Sequence, residues 1–169
     1  AASISGWSTT ASDNSIEIQK SGVIDGVVSY SGNQHAELNG NNVGDFYQEF
    51  CTVPTTTVQI SFAHHKRMNG GNTTDDIMQV LTGPNLGSLA SLGTFTSTST
   101  SGWTVHTVDF SIPAGQTSTV FVFRAVQGAP SDATLGNLID DINVITLFDA
   151  TSIPFATDNC GVASLSLFE

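Results

Sequence analysis

Apolar residues in this chain recur at every second position in short runs, and helical spacing is nearly absent. The clearest run sets Val58, Ile60 and Phe62 against Gln59, Ser61 and Ala63. In a strand these two sets face opposite ways, so one face is apolar and the other mixed. A second run sets Phe121, Phe123 and Ala125 against Val122, Arg124 and Val126. Both of its faces are mostly apolar, which predicts a central strand. Similar runs at 15–20, 23–30, 34–39, 45–52, 56–64, 76–82, 92–97, 103–110, 118–126 and 137–146 predict ten strands. Clusters such as Asn39-Gly40-Asn41-Asn42 and Asn69-Gly70-Gly71-Asn72 separate them and supply positive φ cheaply. The pattern predicts an all-β, two-sheet antiparallel sandwich.

The chain's 169 residues suit one domain with a short appendage. After Leu147 the strand pattern stops, which predicts a binding module over 1–147. Residues 148–169 then form a linker or C-terminal extension that packs on the module or leads to a next one. Lys and Arg number 4 against 15 Asp and Glu, a formal charge of -11. A surface this acidic is repelled by nucleic acid and by anionic membranes, which argues against both as partners. No stretch approaches the ~20 apolar residues of a membrane span. Cys51 and Cys160 are open to two readings, a long-range disulfide or two buried thiols.

Near the end, Asp140 and Asp141 interrupt the β-branched run from Leu138 to Ile145. Strict alternation puts Asp140 on one face with Leu138, Ile142 and Val144. A carboxylate on an apolar face is costly without a partner. With few cations available, a bound metal ion is one such partner, and two solvated acids at a strand end are the alternative. Oxygen ligands of this kind suit calcium. Glu37 falls on the non-core face with His35 and Asn39, either as a further calcium ligand, on a ligand-binding face, or simply in solvent.

Taken in order, Trp7, Ile16-Glu17-Ile18, Ala36-Glu37-Leu38-Asn39, Phe46-Tyr47-Gln48-Glu49-Phe50, Ile60-Ser61-Phe62-Ala63-His64 and Leu138-Ile139-Asp140-Asp141-Ile142 resemble a known group. They resemble the galactose-binding-like jelly rolls, in particular DUF642-type domains and carbohydrate-binding modules of the family 4/22 kind. The resemblance implies a jelly-roll β-sandwich, a secreted or cell-surface multidomain parent, a glycan ligand and a structural calcium. It places that calcium on Asp141 or Asp140. The tail Ala156-Thr157-Asp158-Asn159-Cys160-Gly161-Val162 resembles the start of an HYR-type module and implies a bacterial surface protein.

Two of the four Lys and Arg residues sit together in His64-His65-Lys66-Arg67, and a third is Arg124. Such concentration in an acidic chain points to an acidic or polyhydroxylated ligand, since Arg and Lys donate to carboxylates, sulfates and hydroxyls. The alternative is pairing with Asp75 and Asp76 across the loop. The expected ligand-binding residues are therefore His65, Lys66, Arg67, Arg124, Tyr30 and Asp76. Aromatic faces stack on sugar rings, and Trp7, Tyr30, Tyr47 and Trp103 are candidates. The two tryptophans, beside glycines at strand starts, are expected in the core, and Tyr30 at a rim.

No Gly-x-Ser-x-Gly elbow is present, and no strand offers an acid in an apolar pocket for glycoside hydrolysis. The expectation is a non-catalytic, calcium-stabilised carbohydrate-binding module. An adhesin or stalk module without a small ligand is the alternative, and a polysaccharide lyase or hydrolase ranks behind both.

Overall fold

In a computed structural model, the structure describes residues 6–40, 42–67, 74–98, 102–128 and 134–147. Ten strands follow in chain order: β1 Ser8–Thr9, β2 Glu17–Lys20, β3 Gln34–Glu37, β4 Phe46–Cys51, β5 Thr57–His65, β6 Asp76–Asn85, β7 Ser88–Ser97, β8 Thr104–Ser111, β9 Ser118–Gln127 and β10 Leu138–Leu147. They form two five-stranded antiparallel sheets, ordered β1-β4-β9-β6-β7 and β2-β3-β10-β5-β8. The described residues hold no helix.

The alternation read from the sequence decides what each sheet turns inward. Val58, Ile60 and Phe62 of β5 and Phe121 and Phe123 of β9 are buried between the sheets. Phe62 stands edge-on to Phe123 at 5.4 Å and to Phe95 at 5.2 Å. Such edge-to-face pairs add to the burial of the rings themselves. The strand over β9 is central as expected, between β4 and β6, and its outward Val120 and Val122 are also covered, with Leu81. Trp7 packs on Phe123 with ring centres 6.0 Å apart, the core role expected of it.

Two expectations fail in instructive ways. Residues 23–30 form no strand. Positive φ at Gly22, Asp25 and Gly26 (74°, 51° and 72°) turns the chain repeatedly, despite the Val-rich composition there. In β10 the alternation breaks between Asp140 and Asn143, where the register against β5 shifts and Asp141 takes φ 49°. This β-bulge lets Ile139, Ile142 and Val144 all pack on the core. Asp140 and Asn143 are left pairing with the outward Ala63 and Ser61. Asp140 therefore does not share a face with Ile142 and Val144.

Cys51 is disulfide-bonded, so the free-thiol reading does not hold for it. Cys160, the HYR-like tail and the whole of 148–169 lie outside the described residues.

Candidate functional site

The outward face of the β2-β3-β10-β5-β8 sheet divides into a covered half and an open half. In the covered half, Glu17, Glu37, Leu138 and His65 stand side by side across β2, β3, β10 and β5. Glu37 is 0% exposed, although it points away from the core. Segment 21–33 lies over this row, and it explains the burial of Gln19 and His35 there as well.

Burying Glu37 requires partners, and the structure supplies three. Its Oε1 accepts the Gly136 amide at 2.8 Å. Its Oε2 accepts from Gln19 Nε2 and from Arg67 Nη1, the latter at 2.5 Å. Arg67 also donates from Nε to Asp25 Oδ2 at 2.9 Å. Burial still outweighs Arg67 and the Gly136 amide and pushes the Glu37 carboxyl up to about 7. The chain of contacts continues through Gln19 Oε1 to His35 Nε2 at 3.2 Å and from His35 Nδ1 to Ser29 Oγ at 3.0 Å. Burial lowers the pKa of His35 and of His65.

A second buried carboxylate, Asp76, sits where β6 begins. Its Oδ2 accepts the amides of Arg67 and Asn137, each at 2.8 Å, and its Oδ1 has no partner. Burial raises its pKa against the pull of those amides and of the Lys66 charge. Asn137 ties the region together. Its Oδ1 meets His64 Nε2 at 3.0 Å, and its Nδ2 donates to Gln127 O at 2.7 Å. His64 faces the core end of β5, where burial lowers its pKa to about 4.

The expected ligand-binding set is thus only partly assembled. His65, Lys66, Arg67 and Asp76 do come together, but all except Arg67 are buried, and Arg67 is spent on Glu37 and Asp25. Arg124 lies on the other sheet, where it makes a bidentate pair with Asp45 at 2.8 and 2.7 Å. Tyr30 is at the rim as expected, 47% exposed. Trp103 corrects the sequence reading. It stands on the outward face rather than in the core, 5.1 Å from the His65 ring, 5.6 Å from His35 and 6.4 Å from Tyr30. Its Nε1 donates to Val28 O at 2.8 Å. Tyr47 is half-buried against Leu81 and Val122.

The expected calcium ligands are not gathered either. Glu37 carries a guanidinium, two further donors and no open side. Asp140 accepts the amides of Ser31 at 3.0 Å and of Asp141 at 2.8 Å, and Asp141 is exposed at the bulge. Among the described residues, no three His, Cys, Asp or Glu side chains are placed to hold a metal ion. Calcium takes six to eight oxygens, so Asp140 and Asp141 would hold it only together with carbonyl, amide or water oxygens.

The open half continues from Tyr30 and Trp103 over β10, β5 and β8. Asn143, Ser61 and Thr107 form one row, and Ile145, Gln59 and Asp109 the next. Gln59 Nε2 donates to Asp109 Oδ1 at 2.9 Å, and Val105 and Ile145 are each 51% exposed. Sequence alternation already assigned Gln59 and Ser61 to the face opposite the apolar one. What it could not show is that Tyr30 and Trp103 stand on the same face.

This two-sheet architecture is the jelly roll of carbohydrate-binding modules from families 61, 22 and 4. One such structure, a family 61 module in complex with β-1,4-galactotriose, matches with a TM-score of 0.56 at 14% identity, over 83% of this chain and 88% of that one. The family 22 xylan-binding domain CBM22-1 of Paenibacillus barcinonensis Xyn10C gives 0.59 at 12% identity, over 86% and 88%. The K2 cleaved adhesin domain of Lys-gingipain gives 0.54 at 20% identity, over 81% and 88%. At these identities the likeness is one of fold. No family model matches the chain. No curated protein matches it.

Proposed function

We propose that this domain binds carbohydrate without turning it over, on the outward face of the β2-β3-β10-β5-β8 sheet. One observation carries the reading. An exposed Tyr30 stands edge-on to Trp103, and Ser61, Thr107, Asn143, Gln59 and Asp109 lie further along the same outward face, past the row of Asp140, Ala63 and Val105. Pyranose rings offer apolar C–H faces to aromatic side chains and hydroxyls to amides and carboxylates, and this face carries both. Both arginines of the chain are already paired with carboxylates, which favours a neutral glycan over a sulfated or uronic one. The likeness in fold to modules described with galactotriose and xylan supports the same reading. It also supports a secreted or cell-surface multidomain parent.

The test is a glycan array followed by titration calorimetry on the best binder. Tyr30→Ala should weaken binding about tenfold, as loss of ~1.4 kcal/mol of aromatic contact would. Unchanged affinity would remove Tyr30 from the site.

A second reading, an adhesin module that docks protein, draws on Val105 and Ile145 on the same face and on the likeness to the gingipain adhesin domain. An array without a glycan hit favours it.

A further inference from the structure

Segment 21–33, which carries Tyr30, has little regular structure of its own. Gly22, Asp25, Gly26 and Gly32 all have positive φ, and its internal bonds are short-range turns such as Gly22 N to Val27 O at 2.7 Å. Its base is closed by Ser21 N to Asn33 O at 2.9 Å. Its position on the sheet is fixed by contacts from outside. Trp103 Nε1 holds Val28 O, His35 meets Ser29 Oγ, and Asp140 Oδ2 accepts Ser31 N. The fourth contact is an ion pair, Arg67 to Asp25, whose side chains are 14% and 26% exposed. The other end of Arg67 is anchored on Glu37, whose side chain is wholly buried. The guanidinium thus spans from a rigid point in the sheet to a point on the segment. A planar, multi-donor group is suited to that task, since it can satisfy two carboxylates in fixed directions.

We propose that Arg67 is a positioning residue for the glycan site. By bridging Glu37 and Asp25 it latches segment 21–33 onto the sheet and sets Tyr30 against Trp103. It does not touch the glycan itself. The inference rests on the carbohydrate reading above, and it gives the basic cluster a role other than ligand contact.

Removing Arg67 would strand Glu37 in the interior, so the latch is better opened from the segment's side. Asp25→Ala in the full chain leaves the Arg67–Glu37 pair in place. In a Trp7→Phe background Trp103 is the remaining tryptophan, and its emission then reports the latch without any ligand. Asp25→Ala should increase acrylamide quenching of Trp103 and speed hydrogen exchange in 21–33, with the strands unchanged. Glycan affinity should fall about fivefold, the equivalent of ~1 kcal/mol for a partly exposed ion pair. Asp25→Glu should recover most of that loss, and Asp25→Ala should add nothing in a Tyr30→Ala protein. Unchanged quenching and exchange would overturn the latch. Glycan binding that depends on Tyr30 but not on Asp25 would overturn the positioning role alone. No glycan binding by the unaltered protein would overturn the carbohydrate reading, and the positioning role with it.

Discussion

Glu37 and His64 lie near one another in the fold, on opposite faces of the sheet, and respond to acid in opposite ways. His64 is held neutral by burial, its pKa lowered from 6.5 to about 4. The stability this gives is present above pH 6.5 and is lost as pH falls through 4, up to about 3 kcal/mol in all. Glu37 is raised from 4.5 to about 7. Its contribution is full below pH 4.5 and is lost as pH rises through 7. Between pH 6.5 and 4.5 the two oppose each other. Glu37→Gln removes one side of the balance, so this variant should lose more stability than the unaltered protein between pH 7 and pH 5. Urea melts at the two pH values measure this, and equal losses would contradict the assigned environments. None of this was legible in the sequence. Glu37 read as an outward residue because it is one. Its burial comes from a segment whose path the alternation misread.

At the scale of elements, the strands were legible wherever alternation was regular. β5 and β9 fell where Val58-Ile60-Phe62 and Phe121-Phe123-Ala125 put them. The failures have separate causes. A period-two reading assumes one residue per step, and the bulge at Asp140–Asn143 adds one. The Val-rich composition of 23–28 suits a strand, but Gly22 and Gly26 take positive φ and turn the chain. Trp103 stands outward, against the core position its sequence neighbours predict, because its neighbours in space, His35, His65 and Val28, are distant in sequence. The β6–β7 hairpin adds a close approach that no pattern showed. A Cβ built on Gly83 would lie 1.8 Å from Ser88 O. Gly83→Ala must therefore push the two strands apart, and it should cost at least ~2 kcal/mol in a denaturant melt. A change within ~0.5 kcal/mol would show that the hairpin yields freely.

At the scale of the molecule, the acidic composition and the fold point the same way. A charge of -11 with both arginines internally paired disfavours anionic glycans, in line with the neutral glycan proposed above. Calcium is a separate proposal, and it rests on Asp140 and Asp141 at the bulge. Added calcium should raise the melting temperature, and Asp141→Asn should abolish the rise. A melting temperature indifferent to calcium and to EDTA would remove the ion from the account.

In the reading proposed above, the outward face of one sheet binds a neutral glycan through Tyr30 and the polar residues of that face. The most direct measurement is calorimetric titration of the protein with short neutral β-linked oligosaccharides, xylan- and galactan-derived, alongside Tyr30→Ala. Saturable binding to at least one of them and about a tenfold weakening in the variant are expected. Absence of binding to every oligosaccharide, or binding that ignores Tyr30, would contradict that reading.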